Sequence, residues 1–185
     1  MKKIIFSSLL CAAIFSMTSC TKEEANSAEV SSESNQLNAD FVVELEGVFP
    51  KNDRFQLFYS NDTSFLEDKS IKTSVYGQSV LQKIAFGLPN GSTPQNLRLD
   101  LGSNPDNTVV SIKNIKITYK GKEVILSDEK IRDFFPDTES AVYDDVKLEY
   151  TLKPNVEGIF DPILFSSDLL KKELNKTYNS TKESK

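Results

Sequence analysis

The sequence predicts an all-β protein, an antiparallel β-sandwich of jelly-roll-like type with one or two short helices. Three observations lead to this fold class. Apolar residues alternate with polar ones through most of residues 39–174, which is the pattern of half-buried strands. Turn-forming residues divide this region into roughly eight to ten runs, spaced as the strands of a sandwich are. The helical segments that would connect the strands of a parallel sheet are missing between these runs.

Five strands are predicted in the first half of the region, each bounded by residues that favour turns. In the second of them, for example, Phe55, Leu57 and Tyr59 alternate with Gln56 and Phe58. The predicted strands cover residues 41–45, 55–59, 71–76, 80–88 and 97–101. The turns between them fall at residues 50–53, 61–64 and 89–92, and a loop rich in Gly, Pro and Asn follows at 102–107.

The sixth predicted strand carries a change of phase. Its first apolar residues, Val110 and Ile112, are even-numbered, whereas Ile115, Ile117 and Tyr119 are odd-numbered. A one-residue slip would turn half of the apolar side chains to solvent. We therefore predict a β-bulge at residues 113–114, since one extra residue restores a continuous apolar face.

The remaining elements are shorter. After a turn at residues 120–121, a strand is predicted at 123–126, and a short helix capped by Ser127 then ends before Pro136. Alternating apolar residues predict a strand over 146–152. A closing helix is expected over 168–174, capped by Ser166 or Ser167.

The N-terminus has the features of an export signal. Lys2 and Lys3 precede an apolar stretch that is too short for a membrane span and ends in Thr-Ser before Cys20. Small residues before a cysteine resemble the lipobox of bacterial lipoproteins. The resemblance implies that residues 1–19 are a removed signal peptide and that Cys20 is acylated. An ordinary secretory peptide cut near Ser19 and a short membrane anchor are the alternatives.

The residues after Cys20 suggest where the chain is displayed. Lys22, Glu23 and Glu24 resemble the export signal of Bacteroidota-type surface lipoproteins, which implies attachment to the outer membrane on the cell surface, with the periplasmic face as the alternative. Residues 20–38 are too polar to fold and are interpreted as a flexible tether. The sandwich is predicted over residues 39–174, and residues 175–185 are predicted to be a polar, disordered tail.

The central segment carries a second resemblance. Five stretches are similar to β-sandwich segments attached to bacterial cell-surface glycosyltransferases. They are QLFY at 56–59, FLEDKS at 65–70, IAFGLP at 84–89, LRLDLG at 97–102 and VSIKNIKI at 110–117. The resemblance implies a jelly-roll-like domain that works near carbohydrate. It transfers no catalytic residues, because this segment is not the transferase.

Composition argues against several functions. The chain has 185 residues, a formal net charge of −5, no His, and both of its Cys within the first 20 residues. The negative charge argues against nucleic-acid binding. The lack of His removes the usual Ser-His-Asp and Cys-His chemistry and the commonest metal ligand. Glycosidase chemistry needs only two carboxylates, but nothing in the sequence singles out such a pair. We therefore expect no enzyme activity and no cofactor.

A candidate ligand site lies on the polar face of the 97–101 strand. Arg98 and Asp100 are two residues apart and project from the same face, and we expect Gln82 or Lys83 beside them on the preceding strand. A guanidinium, a carboxylate and an amide together can bind sugar hydroxyls. An ordinary surface ion pair is the alternative interpretation.

Phe58 and Tyr76 fall on the less apolar sides of their strands, so an exposed ring could stack on a sugar. Packing under a loop is the alternative. Three oxygen-rich loops offer the kind of ligand that a structural calcium ion needs, although their spacing matches no calcium loop. They contain Asn61-Asp62, Asp106-Asn107 and Asp144-Asp145.

Two functions follow from these features. The first is a non-catalytic envelope lipoprotein, anchored to the membrane at Cys20, whose sandwich binds glycan or another envelope component. The second is a structural or assembly lipoprotein that docks onto an outer-membrane protein.

Overall fold

The computed structural model describes residues 38–182, and within that range the chain forms ten strands and two α-helices. The strands are β1 (Phe41–Val48), β2 (Asp53–Ser60), β3 (Ser70–Val75), β4 (Gln82–Gly87), β5 (Asn96–Asp100), β6 (Val109–Tyr119), β7 (Lys122–Ser127), β8 (Ala141–Asp144), β9 (Glu149–Leu152) and β10 (Ile163–Phe165). The helices are α1 (Asp128–Phe134) and α2 (Asp168–Lys182), and a single 3₁₀ turn spans Glu67–Lys69. The predicted all-β sandwich class is confirmed.

The strands form two antiparallel sheets. The large sheet has the order β4-β1-β6-β9-β8, and β7 pairs with another part of β6. The small sheet has the order β10-β5-β2-β3. Because β4 returns to lie beside β1 while β2 and β3 form the opposite sheet, the first four strands follow a Greek-key order.

The core lies between the inner faces of the two sheets. In β1, Phe41, Val43 and Leu45 are buried and the residues between them are partly exposed. The rings of Phe49, which follows β1, and Phe55 on β2 meet edge to face at 5.2 Å and join the two sheets. The alternation in the sequence therefore reports the two faces of each sheet correctly.

The bulge predicted in the sixth strand is confirmed. Glu46 pairs with Asn114 and Gly47 pairs with Ile112, so Lys113 is the extra residue of β6. A Cβ atom on Gly47 would lie 2.1 Å from the carbonyl oxygen of Ser111. The residue opposite the bulge therefore has to be glycine, since the two backbones approach each other closely.

Two predicted strands begin later than expected. β4 starts at Gln82, which leaves Val80 and Leu81 exposed in the connection from β3. β9 starts at Glu149, because the Asp144 carboxylate accepts hydrogen bonds from the backbone of the next residues and forms a turn there. Val146 is 92% exposed in that turn. Apolar alternation alone did not reveal this turn.

Both helices are present, but no side-chain capping bond from the serines expected to cap them is found within the described residues. Ser127 stands at the N-terminus of α1 without a side-chain capping bond. The Ser166 hydroxyl accepts a hydrogen bond from the Leu97 amide, and the Ser167 hydroxyl donates to the Asp133 carbonyl. These bonds tie the start of α2 to β5 and α1.

The prediction of a disordered tail from residue 175 is wrong, because α2 continues to Lys182. Leu170, Leu174 and Tyr178 are buried and recur every four residues, so they form one apolar face on the core. The Tyr178 hydroxyl donates to the Pro94 carbonyl at 2.6 Å. The polar residues between them mark the solvent side of a helix.

The N-terminal features lie outside the described residues. They are the predicted signal peptide, Cys20, the Lys22-Glu23-Glu24 segment and the predicted tether up to residue 37. At the C-terminus, residues 183–185 also lie outside the described part of the chain. Within residues 38–182, neither helix has the length and apolar content that a membrane-spanning helix requires.

Candidate functional site

The outer face of the small sheet brings polar and aromatic side chains together around β5. Leu97 and Leu99 point into the core, so Arg98 and Asp100 project outward. Arg98 lies opposite Phe58 of β2, and Asp100 lies opposite Gln56 of the same strand. The Arg98–Asp100 pair is therefore at the centre of the sheet, next to residues from β2.

Arg98 is held by contacts on several sides. Its Nε and Nη2 atoms donate to the two carboxylate oxygens of Asp100 at 2.8 and 2.7 Å. The guanidinium carbon lies 4.6 Å from the centroid of the Phe58 ring, and Asp161 approaches Nη2 to 3.6 Å. The bidentate pair and the stacked ring fix the guanidinium in one orientation.

Asp100 has an unusual electrostatic position. Burial raises the pKa of Asp100 from 3.8 to about 6, against the opposing hydrogen bond and charge of Arg98. The negative charges of Asp161 and Glu67 raise it further. The carboxyl group therefore changes its charge in mildly acidic solution.

A second network lies beside this pair. The Gln56 amide donates to both carboxylate oxygens of Glu67 at 3.2 Å and to the Ser70 hydroxyl at 2.8 Å. Lys72 forms an ion pair with Glu67, and its hydrogen bond is the main reason that the pKa of Glu67 is lowered. These bonds hold the side chains of β2 and β3 in fixed positions.

Four of these side chains line a shallow polar cavity of about 570 Å³, which we call the outer groove: Gln56, Lys72, Asp100 and Asp161. Its walls come from β2, β3, the end of β5 and the loops that follow it. The lining residues are Asn52, Asp53, Arg54, Gln56, Lys72, Ser74, Asp100, Gly102, Ser103 and Asp161. The groove thus offers hydroxyl, amide, carboxylate and cationic groups within one surface.

Asp53 holds the loop that forms one wall of the groove. Its carboxylate accepts four hydrogen bonds, from the backbone amides of Arg54 (2.8 Å), Ser103 (3.0 Å) and Asn104 (3.3 Å) and from Nδ2 of Asn107 (3.1 Å). Gly102 passes close to this carboxylate with φ +107°, and a Cβ atom there would lie 2.1 Å from Asp53 Oδ2. The wall is therefore built around one carboxylate that accepts four hydrogen bonds.

The structure brings some of the predicted site residues together and places others elsewhere. Arg98 and Asp100 are paired as expected. Gln82 is not beside them, because β4 belongs to the large sheet, where its amide binds the carbonyl oxygens of Phe49 and Tyr76. Phe58 is only 5% exposed, because the guanidinium of Arg98 lies over its ring. Both expectations are therefore corrected.

Tyr76 does remain at the surface. It is 70% exposed and directly follows β3, whose Lys72 and Ser74 line the groove. The next residue, Gly77, donates its amide to the side chain of Asn52 in the groove wall at 2.7 Å. Tyr76 is thus two residues from the lining residue Ser74 in the chain, and its own side chain is not part of the lining.

Of the residues that line the groove, only Asp100 was predicted as a site residue, and Gln56, Lys72 and Asp161 are among those that were missed. Gln56 and Lys72 alternate with apolar residues, so their outward direction could have been predicted. That β2 lies beside β5 and that β3 follows β2 in the same sheet could not. Asp161 lies in a loop and gave no sequence signal.

The oxygen-rich loops use their side chains for turns. Asp62 accepts bonds from the Ser60 hydroxyl and the Ser64 amide. Asn107 binds Asp53, and Asp144 binds the turn that follows it. Residues 38–182 contain no group of three or more His, Cys, Asp or Glu side chains placed to hold a metal ion.

Comparison with known proteins finds no match for this chain among protein-family models, curated proteins or solved structures. The resemblances noted from the sequence remain predictions.

Proposed function

We propose that this chain is a lipid-anchored, non-catalytic binding protein of the bacterial cell envelope whose outer groove binds glycan. The observation that carries the proposal is the fixed Arg98–Asp100 pair at the edge of a polar cavity. Sugar hydroxyls both donate and accept hydrogen bonds, so they are best bound by rigid donors beside rigid acceptors. Arg98, Asp100 and Gln56 offer this combination.

Tyr76 supports a sugar ligand in particular. An exposed aromatic ring beside polar groups can pack against the C–H face of a sugar ring while hydrogen bonds orient its hydroxyls. Such a ring two residues beyond the groove lining would extend the binding surface along a chain of sugars. The tether would hold this surface away from the lipid.

The glycan claim is tested by screening the full-length protein, solubilised in detergent, on a glycan array. Tyr76→Ala and the double variant Arg98→Ala, Asp100→Ala are compared with Lys83→Ala, a control on the outer face of the large sheet. We expect a defined set of glycans to bind, with a loss of at least about tenfold in both groove variants and none in the control.

Thermal melting establishes that each variant is folded. Binding that survives in folded groove variants would reject this site, and no binding to any glycan would reject the proposed function.

Anchoring is proposed from the lipobox resemblance and is tested separately. Replacing Cys20 with Ala should release the protein from membranes into the soluble fraction, because the acyl chains would be lost. Continued membrane association of the Cys20→Ala protein would contradict acylation as the means of attachment. Protease treatment of intact cells distinguishes the cell surface from the periplasmic face.

Docking onto an outer-membrane protein is the second candidate, and one observation favours it. Val80 and Leu81, next to each other in the β3–β4 connection, are 61% and 54% exposed. Adjacent exposed apolar residues often mark a protein contact. If docking is the function, a defined outer-membrane protein should co-purify with the unaltered chain. The double variant Val80→Asp, Leu81→Asp should abolish this co-purification, and Tyr76→Ala should not change it.

A further inference from the structure

One end of the outer groove carries donor groups that the described chain does not use. Arg54 lies on the outer face of β2, since the next residue, Phe55, is buried in the core, and it is opposite Ser74 of β3. Ser103 lies on the other side of β2, and its amide binds the residue before Arg54. Arg54, Ser74 and Ser103 all line the groove, and we call them the donor end. None of their side chains forms a hydrogen bond or an ion pair with residues 38–182.

The carboxylates that line the groove are already bound. Each oxygen of the Asp53 carboxylate accepts two hydrogen bonds, so this group is saturated although it precedes Arg54 in the chain. Asp100 binds two nitrogen atoms of Arg98, and Asp161 lies 3.6 Å from the same guanidinium. These negative charges are therefore compensated by other groups than Arg54.

The two cations that line the groove differ in the same respect. Lys72 forms an ion pair with Glu67, whose carboxylate also accepts hydrogen bonds from the Gln56 amide. Arg54 is exposed and has no such partner in the described part of the chain. Among the described charged residues of the lining, the guanidinium of Arg54 is thus the one left for a ligand.

A guanidinium presents a planar fork of N–H groups that fits an anionic oxygen pair, and hydroxyls beside it add further donors. We propose that the donor end of the outer groove binds the anionic group of an acidic glycan, either a uronic-acid carboxylate or a sulfate ester. Gln56 and Asp100, further along the groove, then bind the hydroxyls of the same sugar chain. This inference rests on the proposed glycan binding and names the class of glycan.

A glycan array with three sets of probes tests this class on the full-length protein in detergent. The sets are oligosaccharides of galacturonic and mannuronic acid, carrageenan oligosaccharides, which carry sulfate but no carboxylate, and uncharged malto- and cello-oligosaccharides. We expect acidic probes to bind, and to bind less tightly in high salt, because ions screen the charge of the exposed Arg54. The first two sets distinguish the carboxylate from the sulfate ester.

The array also separates this inference from the proposed function. Binding to uncharged probes that equals or exceeds binding to acidic ones would overturn the acidic class and leave glycan binding intact. No binding to any probe would reject both.

Variants of the donor end test the role of Arg54 with the acidic probe that binds. Arg54→Gln should weaken binding about tenfold or more, because a charged donor is lost, and Ser74→Ala several-fold. Arg54→Lys keeps the charge without the fork and should give an intermediate affinity. Lys122→Gln, which removes one exposed positive charge from β7, is the matched control and should bind like the unaltered protein.

These variants should fold normally, because the substituted side chains have no partners among residues 38–182, and thermal melting checks this. Unchanged binding of the acidic probe by folded Arg54→Gln would overturn the proposal. An equal loss in Lys122→Gln would also overturn it, since net charge would then explain the binding.

Discussion

Arg98 donates two hydrogen bonds to Asp100, two residues further along the same strand, while its guanidinium covers the ring of Phe58. Both charged side chains are mostly buried, so each depends on the other for compensation of its charge. This pair fixes the position of the carboxylate at the edge of the outer groove and seals the aromatic ring beneath it.

Arg98→Ala should therefore destabilise the fold. It leaves the Asp100 carboxylate without its partner and exposes Phe58, which we expect to lower the free energy of unfolding by about 1–3 kcal/mol. Urea denaturation measures the change. Lys83→Ala, which breaks only ion pairs at the protein surface, should change the free energy of unfolding by less than about 1 kcal/mol. Equal effects of the two variants would show that the Arg98 pair has no structural role.

Stability should also depend on pH through Asp100. Because burial raises the pKa of Asp100 from 3.8 to about 6, the folded state binds a proton more readily than the unfolded chain does. This contribution to stability is fully present below pH 3.8 and is lost as the pH rises through 6.

The measurement is the free energy of unfolding of the unaltered protein relative to Asp100→Asn, taken at several pH values. This difference should fall, by an amount of the order of 2–3 kcal/mol, between about pH 4 and pH 7. Other carboxylates cancel in the comparison. A difference that rises with pH would mean that the charge of Arg98 outweighs the burial of Asp100.

Gly47→Ala should disturb the bulge between β1 and β6. The new Cβ atom would overlap the Ser111 carbonyl, so β1 would have to move away from β6, at an expected cost of more than about 2 kcal/mol. Gly121→Ala is the matched control, since its Cβ has open space and its cost of about 1 kcal/mol comes from the positive φ alone. Thermal or urea unfolding compares the two, and an equal loss would argue against the close approach.

Tyr178→Ala should show that the end of α2 is part of the fold. Its ring contacts Tyr119 at 4.9 Å and Phe41 at 6.4 Å, and its hydroxyl binds the Pro94 carbonyl. Removing it should cost about 3–5 kcal/mol, in the range for buried aromatic residues. Lys176→Ala, an exposed change on the same helix, should be nearly neutral. A neutral result for both would restore the polar tail that was expected from residue 175 onward.

The sequence predicted those features that depend on residues near each other in the chain. Alternation over a few residues indicates that one face of a strand is apolar. Strands β1, β2 and β5 could therefore be predicted, and so could the outward direction of Arg98 and Asp100. The bulge in β6 was also visible, because a change of phase within one strand has few structural explanations.

Two of the sequence predictions were wrong for the same reason: residues distant in the chain decide where a segment packs. Gln82 was expected beside Arg98, but β4 and β5, which follow each other in the chain, lie in opposite sheets. The polar residues from Asn175 onward were predicted to be a tail. They are helical because Leu174 and Tyr178 pack in the core. The late start of β9 has a local cause instead, because the Asp144 carboxylate binds the amides of Val146 and Lys147 where apolar alternation continues.

By itself, the sequence determined the fold class, the faces of the main strands and the outward-facing pairing of Arg98 with Asp100. Tertiary structure alone decided which strands are neighbours, and therefore that Gln56, Lys72 and Asp161 join this pair around the outer groove. Strand periodicity is a local property of the chain, whereas strand order is set by how the two sheets bury their apolar faces together.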